Sequence, residues 1–192
     1  WSAMVDMGWT GILVPENYGG SDLGYLTFGV ILEQLGRQLC ASPLFASAYV
    51  GASAINMGGN DDQKQRWLPG IVDGSEILTF AVDEQPRHQR DAIASKASAS
   101  DGGFLLNGAK AFVPEGMSAT TFVVAAKTDA GDIELFLVPA NADGVSRTQM
   151  DTVDKRDHAR VTLTNVALPT EAHLAGMPSG ELYEQVLNRA CA

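Results

Sequence analysis

Two cysteines in 192 residues, Cys40 and Cys191, leave nothing from which to build a disulfide framework. They stand far apart, with no CxxC and no histidine at ligand spacing, so no zinc site can be assembled and both are expected as buried free thiols. Positive charge is scarce as well. Thirteen Lys+Arg against 23 Asp+Glu give a formal net charge of -10, which repels a phosphate backbone at long range and argues against nucleic acid as a partner. Apolar residues never run on for the roughly 18 positions a membrane-crossing helix needs, and no basic segment followed by an apolar core opens the chain. A soluble, cytoplasmic protein with no membrane span is expected. Nucleophilic catalysis has little support, because there is no GxSxG and His88, His158 and His173 have no Ser or Cys partner by spacing. Asp61-Asp62 and the set Asp151, Asp154, Asp157 lack the glycine and spacing of a calcium loop and read as solvated surface.

What is present suffices for a core: 45% of the residues are hydrophobic, and the length allows one or two domains. Phe28, Ile31, Leu32, Leu35 and Leu39 recur at helical spacing. Ser42-Pro43 reads as a helix start and Gly58-Gly59 as its stop, over a segment rich in Ala, Gly and Ser that lets another backbone come close. A third helix, Asp61 to Leu68, is expected to break at Pro69-Gly70. Tyr18-Gly19-Gly20-Ser21-Asp22 lacks the remainder of any phosphate-binding motif and reads as a turn whose serine caps the next helix.

After Gly74 the pattern changes to short β-rich runs, 77–82, 104–106, 109–113, 121–127, 133–138 and 160–164. Asn107-Gly108 predicts a tight hairpin and Asp129 to Asp132 a second one. The fold class is therefore α+β: an N-terminal helix bundle (1–75), an antiparallel β-barrel (76–176) and the start of a C-terminal helical domain (177–192). Leu182, Val186 and Leu187 mark the last segment as an amphipathic helix with nothing left to cover its apolar face, and position 1 is Trp. A further helical domain is expected beyond residue 192.

Several stretches, in order, resemble the acyl-CoA dehydrogenase family. Val14-Pro15-Glu16-Asn17-Tyr18-Gly19-Gly20, Glu33-Gln34-Leu35-Gly36-Arg37 and Gln63 to Glu76 are similar to that family's N-terminal helical domain. Leu106 to Val113 and Val161 to Pro169 are similar to its middle β domain. The resemblance implies FAD as cofactor and an acyl-CoA substrate, oxidised to the 2,3-enoyl-CoA by proton removal at the α carbon and hydride loss from the β carbon. It also implies electron-transfer flavoprotein as the electron acceptor, a homodimer or homotetramer or a heteromeric assembly, and a catalytic carboxylate from the C-terminal helices, outside this segment.

By the same resemblance, the segment after the first β strand is a Thr-Glu-Pro followed by a small turn over the flavin. Here it reads Asp83-Glu84-Gln85-Pro86-Arg87-His88-Gln89-Arg90-Asp91, with one extra residue. Asp83 stands where the threonine would donate, and an ionised carboxylate cannot. The family's Trp-x-Thr reads Phe112-Val113-Pro114, keeping the aromatic ring and losing the hydroxyl. Asp83, Phe112, Val113 and Pro114 are thus the cofactor-binding candidates. Arg87 and Arg90 are candidates for the phosphates of the CoA or the flavin, against the alternative of solvated arginines on a loop. Two further readings remain open: a flavin-poor, non-catalytic subunit of a heteromeric dehydrogenase, and a non-enzymatic acyl-CoA-binding module.

Overall fold

The computed structural model describes residues 1–191. Helices α1 (Ser2–Asp6), α2 (Gly24–Arg37), α3 (Ala52–Gly58) and α4 (Asp61–Val72) lead into a sheet, β1 (Leu78–Ala81), β2 (Lys96–Ser100), β3 (Gly103–Pro114), β4 (Thr121–Thr128), β5 (Ile133–Pro139), β6 (Val145–Met150) and β7 (His158–Pro169), and α5 (Glu181–Cys191) closes the order. The α+β class, helices first and a curled sheet second, is as expected.

Three helical details differ from expectation. The second helix begins as a π-helical stretch, Phe45–Gly51, without a side-chain cap. Ser21 does not cap α2, whose N-cap is Leu23; its amide and hydroxyl both reach the Gly11 carbonyl instead. Helix α4 passes through Pro69 to Val72, because proline in a last turn removes a single donor and that turn is held by Thr10 Oγ1 on the Val72 carbonyl at 2.6 Å. The turn at Gly19-Gly20 is a structural one. Gly19 has φ +88°, and a Cβ on Gly20 would stand 1.9 Å from the Val14 carbonyl oxygen, so only glycine fits there.

The sheet order is β1-β4-β2-β3-β7-β6, with β5 on the other edge of β4. Both β1 and β2 pair with β4 in parallel, against an antiparallel expectation. No tight turn links either of them to β4, so nothing imposes antiparallel entry. No pairing joins β5 to β6 among the described residues, leaving the sheet curled and open rather than a closed barrel. Asn107-Gly108 is a bulge inside one continuous β3, not a hairpin. Gly108 is there for close approach, since a Cβ would meet Ser95 Oγ at 2.2 Å. The hairpin that does form at this point turns at Asp101-Gly102 between β2 and β3. The expected turn over residues 129–132 does join β4 to β5.

Strand β4 sits between two cores. Phe122, Val124 and Ala126 fill the concave interior of the sheet with Leu106, Phe136, Val138 and Val161, while Val123 and Ala125 face the helices and meet Leu44, Ala48, Ile55 and Leu78. Period two with both faces covered explains a strand with no polar alternation. The small residues predicted to allow close approach do so: a Cβ on Gly51 would meet Leu78 at 2.7 Å, and one on Gly58 would meet Leu182 at 2.1 Å. That second contact corrects the expectation for α5. Leu182, Tyr183, Val186 and Leu187 are buried against this same chain. The thiols also differ from expectation, Cys40 being half-buried and Cys191 exposed. No described helix is long and apolar enough to cross a membrane.

Candidate functional site

The sequence's cofactor candidates converge on one cleft. Phe45, Ala46 and Val50 of the π-helical stretch form one wall, Phe80, Val82 and Ala111 to Pro114 the other, and Leu187, Ala190 and Cys191 of α5 the end; the volume is about 240 Å³. Among the described residues, Asp83 and His88 are its only charged or imidazole groups. Their side chains are joined, His88 Nδ1 lying 2.7 Å from Asp83 Oδ1. An ionised carboxylate accepts, so the imidazole donates through Nδ1.

Phe112 is in a left-handed conformation, φ +51°, at a register shift between Lys110 and Val113. A bulky residue there is strained, and the bulge turns its ring outward at 40% exposure instead of into the sheet. Its amide has lost its ladder partner and points at the Met150 sulfur at 3.3 Å, a weak acceptor. Pro114 has no amide to give, and its carbonyl is held by Thr79 Oγ1 at 2.6 Å.

The loop carrying Asp83 and His88 is tied at several points. The Asp83 carbonyl accepts Ala111 N–H at 2.6 Å. Arg90 does not reach into the cleft: its guanidinium is 2.5 Å from Glu184 Oε2 and 3.1 Å from Asn188 Oδ1, both on α5. Tyr183 donates its hydroxyl to the Arg90 carbonyl at 2.5 Å. Arg87 is exposed, with no side-chain hydrogen bond among the described residues. Beneath the loop lies an ion pair that sequence reasoning missed, Lys110 Nζ to Glu84 Oε1 at 2.7 Å. A lysine inside the apolar run Ala109 to Val113 was the available signal. His88, noted in the sequence only for lacking a Ser or Cys partner by spacing, is the other group missed.

Burial raises the Glu115 carboxyl above its ordinary value, and Asp157 adds to the effect. Burial likewise pushes the Tyr183 phenol up to about 12, with Glu184 assisting. An unfolded tyrosine ionises near 10, so between pH 10 and 12 the unfolded state binds fewer protons and stability falls as pH rises. Replacing Tyr183 by phenylalanine should flatten that alkaline slope in thermal melts; an unaltered slope would assign it to another group.

Residues 1–75 match the acyl-CoA dehydrogenase N-terminal domain and residues 80–166 the middle domain of the same family. The chain belongs to the acyl-CoA dehydrogenase family. It is 35% identical over 185 residues to the mitochondrial 2-methylacyl-CoA dehydrogenase of Solanum tuberosum, covering 89% of this chain and 44% of that one. It superposes with a TM-score of 0.88, at 27% identity, on a chain of the ChsE4-ChsE5 complex from Mycobacterium tuberculosis, covering 98% of this chain and 50% of the other. A glutaryl-CoA dehydrogenase from Mycobacterium smegmatis, solved in complex with FADH2, shares the fold at a TM-score of 0.90, 23% identity, and coverage of 98% and 50%. This chain therefore spans about half the length of the relatives it matches.

A planar, largely apolar ring is what this cleft can take. Its volume is below the roughly 300 Å³ at which whole-ligand pockets begin, so it fits a ring system and not an entire dinucleotide. Phe112 offers a flat face and its poorly partnered amide offers a donor. The side-chain hydroxyl donors expected from the resemblance are absent.

Proposed function

We propose that this chain supplies the helical and β portions of a flavin-dependent acyl-CoA dehydrogenase, acting on an acyl-CoA thioester to give the 2,3-enoyl-CoA. The observation that carries the reading is Phe112, held against its backbone preference at a bulge and exposed into a cleft between helices and sheet. Val82, Val113 and Pro114 would exclude water around a bound flavin ring, and the Phe112 N–H would be the donor available to it. When bound, FAD supplies a two-electron acceptor for the hydride leaving the β carbon. The carboxylate that takes the proton from the α carbon is expected, by the family resemblance, outside this segment. Arg87, exposed and without a partner here, remains available to an anionic phosphate; Arg90 would first have to leave Glu184. Electron-transfer flavoprotein is the proposed acceptor of the electrons, and the assembly a homo-oligomer.

A second reading, a flavin-poor subunit paired with a catalytic homologue, is favoured by two observations. Asp83 stands at a donor position and is engaged by His88, and the ChsE4-ChsE5 structure is a complex of two named chains. Purified full-length protein should carry a flavin absorbance band that bleaches anaerobically on adding acyl-CoA. A colourless protein that takes up no FAD, yet co-purifies with a flavin-bearing homologue, would replace the first reading by the second.

A further inference from the structure

Lys110 is fully buried, in a residue type almost never buried unless paired. Its ammonium touches Glu84 Oε1 at 2.7 Å and the Val82 carbonyl at 3.2 Å. The Glu84 side chain is 6% exposed. Its two oxygens also accept the amides of Ala94 at 2.7 Å and Ser95 at 3.0 Å. Those amides lie where the chain returns from the loop to enter β2. One carboxylate therefore joins the outgoing chain after β1, the incoming chain before β2, and β3 beneath them. Residues 85–93 form a loop closed at its base by that carboxylate and tied at Arg90 to α5. Asp83 and His88, the polar groups of the cleft, stand on either side of it. An anion holding three donors is a strong and directional junction, because charge-assisted bonds are shorter and stronger than neutral ones.

We propose that the Lys110–Glu84 pair is a positioning clamp, which sets the loop over the cleft and so aligns Asp83 and His88 with the flavin edge. The flavin part of this rests on the function proposed above. Lys110 and Glu84 touch neither the cleft nor a ligand in it, so they act only through the loop.

The test uses the full-length, FAD-loaded protein with two variants, Lys110→Met and the apolar pair Glu84→Leu/Lys110→Met. Exchanging a buried ion pair for apolar residues of similar volume is often neutral for stability, yet it leaves the Ala94 and Ser95 amides without their acceptor. Four quantities are read: tryptic cleavage at Arg87 against a control site at Arg37, the FAD dissociation constant, the visible circular dichroism of the flavin, and the melting temperature. The clamp predicts that the double variant melts close to wild type while cleavage at Arg87 rises by about tenfold or more, as expected for losing charged hydrogen bonds. The visible circular dichroism of the flavin should change in both variants. Recovery of wild-type loop protection and flavin affinity in the double variant would overturn the clamp and leave a purely structural pair. So would unchanged cleavage in Lys110→Met. Raised cleavage in a protein whose wild type takes up no FAD would uphold the clamp and remove the flavin reading alone.

Discussion

Glu84→Ala is expected to destabilise the protein by about 3–5 kcal/mol, as is usual when one partner of a buried pair is removed. The variant strands the Lys110 ammonium among apolar neighbours with the Val82 carbonyl as its remaining contact. The reverse change is milder, since a Glu84 carboxylate without Lys110 keeps two backbone amides. Denaturant midpoints at neutral pH measure both, and equal losses from Glu84→Ala and Lys110→Met would refute the asymmetry. The pH dependence has a defined sign. Burial alone would raise Glu84, but Lys110 and Ser95 outweigh it and hold the carboxyl below its ordinary value of 4.5. The stability it contributes is present above pH 4.5 and lost as pH falls through the lower folded value. Burial pulls Lys110 below its ordinary 10.5 against the attraction of Glu84 and Asp83. With Glu84 gone that depression deepens. The unfolded state then binds more protons below pH 10.5, so the defect of Glu84→Ala shrinks as pH is raised.

Phe112→Gly should weaken flavin binding more than it changes stability. A non-glycine residue at φ +51° carries roughly 1 kcal/mol or more of backbone strain that glycine does not. The variant relieves that strain but loses the burial of a ring that is only 40% exposed, so the two effects oppose each other and the denaturant midpoint should move less than the flavin affinity. Removing a flat aromatic partner from a planar ring weakens stacking by about 1–3 kcal/mol, roughly a 5- to 150-fold rise in the FAD dissociation constant. Flavin fluorescence titration reads the second effect. A variant that is less stable and binds FAD normally would make Phe112 a packing residue and the cleft an incidental gap.

The legible part of the site was local. Phe112-Val113-Pro114 and Asp83 were named from the resemblance to the acyl-CoA dehydrogenase pattern, and the structure brings them to one cleft. The pairing of Arg90 with Glu184, the clamp of Glu84 on Ala94, Ser95 and Lys110, and the approach of His88 were not legible. Each joins segments whose separation along the chain carries no periodic signal. The Asn107-Gly108 dipeptide shows the same limit from the other side: a strong local hairpin preference was overridden because β3 gains continuous pairing with β2 and β7.

By itself the sequence determined the α+β order, the helical face of α2, the turn between β4 and β5, and the small residues of the second helical segment. These follow from periodicity and backbone preference, which neighbouring residues impose on one another over one or two turns. The tertiary structure alone decided the parallel entry of β1 and β2 beside β4, the burial of the apolar face of α5, and the bulge that turns Phe112 outward. Those depend on which surfaces meet. Burial, charge pairing and strain relief at such meetings outweigh the small local preferences of the residues involved.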